Sequence, residues 1–276
     1  MNEFELIENI KSWLGTKEFI GDDAAVLPNN ILTCVDTLVE DVHFTRQITS
    51  FYDLGWKALA VNISDIAAMG GISKYALISF AATPDVNEKD FKDFYDGFKA
   101  LADLSGVVLV GGDTVSAKTK IVVSVTLIGE VINQPILRTG AKAGDYVYLT
   151  GTCGEAAKGL HELLTTGKTN YQKFNRPMPR FKEGEIIGKN QLAHSMIDVS
   201  DGLAFSLYEL IKNTDLGIEL TEEFDDDALF GGEDYELVFT SDQLLKDFHV
   251  IGKVTKELND VRMNERILPN KGYQAF

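Results

Sequence analysis

The chain has 276 residues with 26 basic and 42 acidic side chains, which gives a formal net charge of −16 at pH 7. Apolar residues make up 45% and charged residues 25%, as in typical globular proteins, and the length accommodates about two domains. The acidic balance argues against a nucleic-acid partner, because such a partner requires a basic face. It does not exclude anionic ligands, since Mg²⁺ can bridge an acidic protein to a phosphate.

The N-terminal segment and the cysteines indicate the cellular compartment. Residues 1–13 place charged and apolar side chains at amphipathic spacing, which predicts a helix rather than a signal peptide. No run approaches the ~18 apolar residues that a membrane span requires. Cys34 and Cys153 lack the spacing of a metal site, so we expect two reduced thiols in a cytoplasmic protein.

The first half of the chain alternates strand-like and helix-like stretches. The strand-like stretches are rich in β-branched residues, and the helix-like stretches place apolar residues on one face. The expected strands are 31–35, 75–82, 107–110 and 121–128, and the expected helices are 54–69 and 87–104. This alternation predicts an α/β layer in which helices cover a sheet.

A break at Asn133-Gln134-Pro135 ends this pattern, and we place a domain boundary there, giving predicted domains 1–137 and 138–276. The second half contains expected strands 146–150 and 235–240 and expected helices over 155–164, near 186–192 and over 203–211. The acidic stretch 222–227 lacks the spaced ligands and the glycine of an EF-hand loop, so it predicts a solvated loop.

Short turns rich in glycine and aspartate follow apolar runs along the chain. They are Gly21-Asp22-Asp23, Val35-Asp36-Thr37, Ser64-Asp65, Gly111-Gly112-Asp113, the segment 198–202 and the segment 231–234. Carboxylates at strand ends, where glycine lets a ligand approach the backbone, are suited to holding several divalent cations around phosphates. The chain contains no G-x-x-x-x-G-K-[ST] sequence, so a nucleotide would have to be held through metal rather than by a P-loop.

Asp65 lies in a helix so rich in small and apolar residues that we expect the helix to be buried. An unpaired buried carboxylate costs several kcal/mol, so Asp65 needs either a cation or hydrogen-bond donors. Asn62 precedes it by three residues on the same helical face. We expect Asn62 either to share the ligand or to fix the carboxylate.

The other acidic turns each have a structural alternative. Two glycines before Asp113 permit a concave backbone nest for an anion or a bridged metal, and a plain hairpin turn is the rival interpretation. For the remaining aspartates the rival is helix capping or an Asx-turn. Capping alone does not readily account for so many acidic turns in one chain, and their number favours metal ligation by several of these aspartates.

Two basic residues are candidates for contacting an anionic group. His43 lies just past Asp36 and either donates to a substrate anion or belongs to the surface. Arg138 is a candidate phosphate clamp, with a surface arginine as the alternative. The turn 151–154 at an expected helix N-terminus either faces an anion or simply joins a strand to a helix.

In this order, the motifs resemble the thiamine-monophosphate kinase family, which shares a superfamily with aminoimidazole ribonucleotide synthetase. The resemblance covers essentially the whole chain. Its most specific segments are 20–26, 36–44, 57–70, 111–114, 197–203 and 231–237. Six motifs in the right order are specific evidence, although any one of them alone is a weak signal.

The resemblance implies an enzyme that uses ATP to phosphorylate thiamine monophosphate to thiamine diphosphate, with several Mg²⁺ ions. It implies a two-domain α/β (α+β) fold, in which an N-terminal half of sheet and helices dimerises through its sheet and an α+β half follows. The partners implied are thiamine monophosphate, ATP and a second copy of the chain, with no nucleic acid and no membrane.

By motif position, the implied magnesium ligands are Asp23, Asp36, Asp65, Asp113, Asp198 and Asp201. The residues implied for ATP are Tyr95, Gly112, Asp113, Arg138 and Ser200. Those implied for thiamine monophosphate are His43, Glu233 and Tyr273. No general base is expected, because the second pKa of a phosphate acceptor lies near about 6 and much of it is already dianionic. We therefore predict direct in-line transfer assisted by metal, without a phospho-enzyme.

Three features depart from the family pattern. Cys34 and Val35 stand where the family has hydroxyl residues, the segment 221–230 is short, and the C-terminal residues 272–276 lack the usual acidic and histidine residues. The alternatives are another ATP-using synthetase of the superfamily or a non-catalytic, metal-dependent nucleotide-binding protein. No cysteine precedes Cys34 and none ends the chain, which argues against selenophosphate synthetases and hydrogenase-maturation relatives.

Overall fold

The computed structural model describes residues 3–15, 19–256 and 259–272, which form two β-sheets with helices packed on them. The first sheet and its helices consist of α1 (Glu3–Leu14), β1 (Ala25–Leu27), β2 (Ile31–Val39), α2 (Phe51–Ala68), β3 (Ile72–Ala82), α3 (Glu88–Ser105), β4 (Val108–Ser116) and β5 (Val122–Glu130). The second group consists of β6 (Tyr146–Leu149), α4 (Glu155–Thr166), α5 (Phe181–Asn190), β7 (Ser195–Asp198), α6 (Leu203–Leu210), β8 (Leu216–Leu220), α7 (Asp226–Phe230), β9 (Leu237–Ser241), β10 (His249–Lys256), β11 (Val261–Met263) and β12 (Arg266–Ile267).

The first sheet has the order β1-β2-β5-β3-β4, with β3 and β4 parallel and the other pairs antiparallel. Side chains alternate between its faces because successive residues of a strand point to opposite sides. One face is apolar and buried, and α2 packs on the strands there. The other face remains open, with Val35 60% exposed and Leu77 38% exposed.

Helices α2 and α3 pack with their backbones close together at two glycines. A Cβ atom added to Gly55 would lie 1.9 Å from the carbonyl oxygen of Phe94. A Cβ atom added to Gly97 would lie 1.8 Å from the carbonyl oxygen of Tyr52. No other residue type fits this crossing without moving a helix, so the glycines set the distance between the two helices.

The second sheet has the order β12-β11-β8-β10-β6-β9-β7. Helix α6 contributes to the apolar cluster on one side of it. The cluster on the other side contains Ala67 and Ala68 from the end of α2 together with Ile187 of α5 and Phe239 of β9. Helix α2 therefore belongs to the cores of both halves.

The two halves also meet through main-chain atoms. A Cβ atom on Gly188 of α5 would lie 2.1 Å from the carbonyl oxygen of Gly70, just after α2. One on Gly184 would lie 2.5 Å from the carbonyl oxygen of Ala67. Backbone touches backbone at these two points, so the distance between α2 and α5 cannot become shorter there.

Two expectations about acidic turns were wrong. Strand β2 runs on to Val39 and pairs with β5 along its whole length, so Asp36 lies inside a strand rather than at its end. Strand β4 likewise runs on to Ser116, so Gly111-Gly112-Asp113 form part of a strand and not a nest. Hydrogen bonds to a neighbouring strand extended each element past the point where its apolar run stopped.

The second half departs more from expectation. The acidic stretch 222–227 was predicted as a loop, yet it leads into α7, whose first turn is capped by the carboxylate of Asp225 accepting from the amide of Ala228. The strands β7, β8, β10, β11 and β12 were not predicted. The boundary at residue 137 stays a prediction. Among the described residues, no helix combines the length and apolar character needed to cross a bilayer.

Candidate active site

A cleft of about 1520 Å³ runs between the two halves of the molecule. Its walls come from α1, from β2 and the loop after it, and from the turns that follow β7 and α7. Of the residues implied for metal, nucleotide and substrate, nine line this cleft: Asp23, Asp36, His43, Asp65, Arg138, Asp198, Ser200, Asp201 and Glu233. The chain therefore brings most of the motif residues to one place.

Three aspartates from separate elements converge on the floor of the cleft. Asp23 lies just before β1, Asp65 near the end of α2, and Asp198 at the end of β7. Each offers one carboxylate oxygen, and these oxygens lie within 4.8 Å of one another. The hydroxyl of Ser64 donates to Asp198 at 2.5 Å and so orients that carboxylate.

The electrostatics of this cluster favour a bound cation. Burial, with the charge of Asp23 nearby, raises the pKa of Asp36 to about 6 and that of Asp198 to about 8. Burial and the neighbouring carboxylates also raise the pKa of Asp65 well above its ordinary range. Ionised carboxylates so close together repel one another unless positive charge joins them. Hard oxygen ligands in this arrangement fit Mg²⁺.

Arg138 supplies part of that positive charge. Its Nη2 donates to Oδ1 of Asp23 at 2.7 Å and its Nε to Oδ2 at 3.2 Å, so the pair is bidentate. Its backbone amide donates to Asp22 at 2.7 Å. Arg138 therefore lies within the acidic cluster and not on the protein surface, which excludes the surface alternative.

Asn62 does not act on Asp65 as expected. Its Oδ1 accepts from the backbone amide of Asp36 at 3.0 Å, and its Nδ2 donates to the carbonyl of Ala58 at 3.0 Å. The thiol of Cys34 donates to the carbonyl of Asn62 at 3.5 Å. Asn62 therefore ties β2 to α2 and fixes the position of the strand that carries Asp36.

The motifs at 198–202 and 231–234 lie against each other. The amide of Glu233 donates to the carbonyl of Ser200 at 2.6 Å, and that of Tyr235 to the carbonyl of Val199 at 2.9 Å. Gly232 has a φ of 73°, and a Cβ atom there would lie 2.6 Å from the carbonyl of Ser200. This contact requires glycine, and it places Glu233 beside the aspartate cluster.

His43 and Glu233 lie at the same end of the cleft. Nδ1 of His43 accepts from the amide of Val39 at 3.1 Å, which leaves the proton of the neutral ring on Nε2. Burial lowers the pKa of His43, and Lys57 adds to this effect while Glu233 opposes it. His43 is therefore a neutral hydrogen-bond donor near pH 7.

Lys57 and Phe174 are site residues that our interpretation of the sequence missed. Lys57 is fully buried, and its Nζ donates to Oε2 of Glu233 at 3.0 Å and lies 3.9 Å from the centre of the Phe174 ring. A signal for Lys57 was available, since it lies in a helical segment of apolar residues and was expected to be buried with them. Nothing in the sequence distinguishes Phe174 from an ordinary aromatic residue.

Three implied residues are not brought to the described cleft of one chain. Tyr95 lies on α3, where its ring packs edge-on against Phe94. Gly112 and Asp113 lie in β4, which is separated from β2 by two strands or roughly 14 Å. Tyr273 lies outside the described residues.

The N-terminus of α4 is satisfied by the protein itself. Asp234, fully buried, accepts from the amides of Gly154 at 2.6 Å and Ala156 at 3.1 Å. Behind it, Glu236 accepts from Arg180 through two bonds of 2.6 and 2.7 Å and from Lys173 at 2.6 Å. The turn 151–154 is therefore a structural strand-to-helix connection rather than an anion site.

The fold and the acidic cleft define a member of the AIR synthase related class, whose N-terminal domain model matches residues 21–131. Thiamine-monophosphate kinase from Bacillus subtilis (strain 168) is 41% identical over 272 residues, covering 87% of this chain and 83% of the relative. The enzyme from Aquifex aeolicus (strain VF5) is 34% identical over 309 residues, covering 100% and 98%. The chain belongs to the thiamine-monophosphate kinase family.

A solved structure supports this placement. The protein described as AaThiL complexed with AMPPCP and TMP has a TM-score of 0.90 and 33% sequence identity, covering 100% of this chain and 97% of that one. The expected mixed two-sheet fold and the expected enzyme class, a kinase, are confirmed by these relatives.

Proposed function

We propose that this protein transfers the γ-phosphate of ATP directly to the phosphate of thiamine monophosphate, yielding thiamine diphosphate. The observation that carries the proposal is the convergence of Asp23, Asp65 and Asp198 on the floor of one cleft. The relative complexed with AMPPCP and TMP supports the same pair of ligands for this chain.

Several Mg²⁺ ions would be held by Asp23, Asp36, Asp65, Asp198 and Asp201, all of which line the cleft. When bound, the ions supply neutralisation and positioning of two phosphate groups that otherwise repel each other. The chain's own contribution is to hold these carboxylates in fixed positions. Asn62 does so for Asp36, and Ser64 does so for Asp198.

The remaining cleft residues bind and orient the two anions. We assign Arg138 and Ser200 to ATP, and His43 and Glu233 to thiamine monophosphate, together with Tyr273. The neutral His43 ring can donate from Nε2 to a phosphate oxygen without taking a proton from it. No side chain is needed as a general base, because the attacking phosphate oxygen carries no proton in its dianionic form.

Dimerisation through the first sheet accounts for the residues outside the cleft. Both faces of β4 are exposed, and β1 covers β2 only at Ile31 to Thr33 among the described residues. If β4 of one copy lies beside the open part of β2 of another, Asp113 approaches the partner's cleft. We therefore propose a homodimer in which Tyr95, Gly112 and Asp113 complete the nucleotide and metal site of the other subunit.

Two further proposals concern the chain as a whole. We propose a cytoplasmic enzyme, which the two free thiols of Cys34 and Cys153 support. We also keep the division at residue 137, which is supported by its position between the last strand of the first sheet, ending at Glu130, and the first of the second, starting at Tyr146.

The test is ADP release with Mg·ATP, measured with and without thiamine monophosphate, together with chromatography of the product. We expect release that depends on thiamine monophosphate and yields thiamine diphosphate. Asp65→Asn should lower kcat by at least about a hundredfold, because the cluster loses a ligand charge. Asp103→Asn is the matched control, since Asp103 is exposed and pairs with Lys99 along α3.

The possible outcomes distinguish the proposed kinase from an enzyme with another substrate and from a binding protein. ADP release that does not respond to thiamine monophosphate would indicate another substrate of the superfamily. Nucleotide binding without turnover would indicate a binding protein. Equal activity of Asp65→Asn and wild type would contradict the role of the aspartate cluster.

A further inference from the structure

A completely buried lysine lies against the wall of the cleft. Lys57 lies in the first turns of α2 with 0% of its surface exposed. Its ammonium has three neighbours: Oε2 of Glu233 at 3.0 Å, the carbonyl of His43 at 3.4 Å and the ring of Phe174 at 3.9 Å. A buried ammonium is tolerated only when such partners surround it, so the group has a fixed position.

Glu233 is constrained from two directions. Its backbone has a φ of 58°, in the left-handed region that non-glycine residues rarely adopt, and its amide donates to the carbonyl of Ser200 at 2.6 Å. Its side chain is held by Lys57 through one carboxylate oxygen while about 27% of it remains exposed in the cleft. The orientation in which Glu233 meets a ligand therefore depends on Lys57.

Phe174 joins the same cluster from the second half of the chain. Hydrogen bonds of residues next to Phe174 fix its segment, 167–180, to the first half. Asn175 donates to the carbonyl of Ile48 at 2.7 Å, and the indole of Trp56 donates to the carbonyl of Pro177 at 2.7 Å. The ammonium of Lys57 covers one face of the Phe174 ring, which holds this wall of the cleft in place.

We propose that Lys57 is a positioning residue for the substrate end of the site. It holds the carboxylate of Glu233 and the ring of Phe174 so that they receive the organic end of the acceptor. An acidic group beside apolar walls, which include Ile48 and Leu160, suits a flat, positively charged heterocycle. This inference rests on the proposed function, because it concerns the acceptor of that reaction and not the nucleotide.

The test compares Lys57→Met with wild type by steady-state kinetics for both substrates. We expect the KM for thiamine monophosphate to rise roughly tenfold or more, since a charged hydrogen bond that orients Glu233 is lost. The KM for ATP should change by less than about twofold, because the described contacts of the Lys57 ammonium are with His43, Glu233 and Phe174. A loss of stability alone would not raise the KM for thiamine monophosphate while leaving the KM for ATP unchanged. A selective rise therefore distinguishes a positioning role from a purely structural one.

A double-mutant cycle tests whether Lys57 acts through Glu233. In the Glu233→Gln background, Lys57→Met should change the KM for thiamine monophosphate by less than about twofold, because the partner is already lost. If Lys57→Met alone fails to fold, the KM values of Glu233→Gln and of the double variant are compared instead. The double variant removes both charges of the pair and so leaves neither of them unpaired. Independent, multiplying effects of the two substitutions would overturn the proposal.

Asp145→Asn is the matched control. Asp145 is 2% exposed and pairs with His194 at 2.9 Å, away from the cleft. Its loss should therefore lower the melting temperature without raising the KM for one substrate more than the KM for the other.

A similar rise in both KM values for Lys57→Met would also overturn the inference. If wild-type protein shows no turnover with thiamine monophosphate, the proposed function fails. If wild type turns over and Lys57→Met matches it, only the role of Lys57 fails.

Discussion

Two kinds of buried carboxylate distinguish the scaffold of this protein from its site. Glu236 is completely buried, and Arg180 and Lys173 surround it. Burial by itself raises its pKa, but these hydrogen bonds and charges outweigh the burial and lower the pKa below its ordinary value. Asp65 and Asp198 have raised pKa values because neighbouring carboxylates reinforce their burial. The first arrangement is complete without a ligand, and the second is suited to receiving a cation.

Glu236→Gln should destabilise the fold in a way that depends on pH. At pH 7 we expect a loss of about 3–5 kcal/mol in the free energy of unfolding, because Arg180 and Lys173 lose their partner. A lowered pKa stabilises the folded state above the unfolded pKa, and this contribution disappears as the pH falls through the folded value. The difference between wild type and variant should therefore shrink below about pH 4.5.

Urea unfolding of both proteins between pH 7 and pH 3 measures this effect. Glu219→Gln is the control, because Glu219 is exposed on β8 and its replacement should leave the free energy of unfolding within about 0.5 kcal/mol of wild type. A difference that stays constant across the whole pH range would contradict our account of the Glu236 pKa.

At the scale of elements, the crossing of α2 and α3 makes glycine more favourable than alanine inside a helix, against the usual helix propensities. Replacing a glycine inside an exposed helix by alanine normally stabilises it by about 0.5–1 kcal/mol. Gly97 lies inside α3, but a methyl group there would meet the carbonyl of Tyr52 at 1.8 Å. Separation of the helices would then open the apolar core beneath them.

We expect Gly97→Ala to lower the free energy of unfolding by about 1–3 kcal/mol, the usual cost of overpacking. Thermal or urea unfolding provides the measurement. Asp96→Ala, on the exposed side of the same helix, should cost less than about 0.5 kcal/mol. Stabilisation by Gly97→Ala would show that the two helices separate without cost.

The sequence predicted elements well where apolar spacing was long and regular. Helix α3 was expected over 87–104 and lies at Glu88–Ser105, and α2 was equally clear. The short strands β11 and β12 carry too few residues to show a period. Strand β4 was cut short in our prediction because it is an edge strand with every residue exposed, so no apolar alternation marks it beyond Val110.

The same limit applies to the site. The aspartates could be predicted because glycine-rich acidic turns are local patterns, and all but Asp113 meet in the described cleft. The ion pair of Lys57 with Glu233 joins residues far apart in the chain, and no local pattern marks it. Its discovery required knowledge of how the two halves pack.

For the whole molecule, the open face of the first sheet supports the proposed association of two copies. Val35 and Leu77 lie in one row across β2, β5 and β3 on the exposed side, and Asp113 lies on that side in β4. Apolar residues aligned on one sheet face are typical of a surface that is covered in the assembly. The proposed dimer covers them and carries Asp113 toward the partner's cleft.

Leu77→Arg should convert the protein from a dimer to a monomer and abolish turnover, as judged by light scattering after gel filtration and by ADP release. The reason is that a charge buried in the interface has no partner there. Leu244→Arg is the control, since Leu244 is 68% exposed in the second half and should leave the dimer intact. A fully active monomeric Leu77→Arg would rule out sites shared between subunits.

Mixing two inactive variants tests that sharing directly. When Asp65→Asn and Asp113→Asn subunits exchange freely, half of the dimers are mixed, and each mixed dimer contains one intact site. Activity should then recover to about a quarter of wild type, because subunit pairing in a two-fold dimer is symmetric. No recovery after demonstrated exchange would indicate that Asp113 acts within its own chain or not at all.

The backbone contact between Gly70 and Gly188 has a consequence for the way this enzyme admits its substrates. Many transferases enclose their ligands by swinging one lobe against another about a hinge. Here the lobes meet through main-chain atoms at Gly70 and Gly188 as well as through side chains, and a swing that brought these backbones closer would force atoms into overlap. We therefore expect the two sides of the cleft to keep a fixed separation, so that only a short segment such as 40–49 adjusts as ligands enter and leave. Turnover would then be governed by the encounter and release of ligands and not by a rotation of lobes.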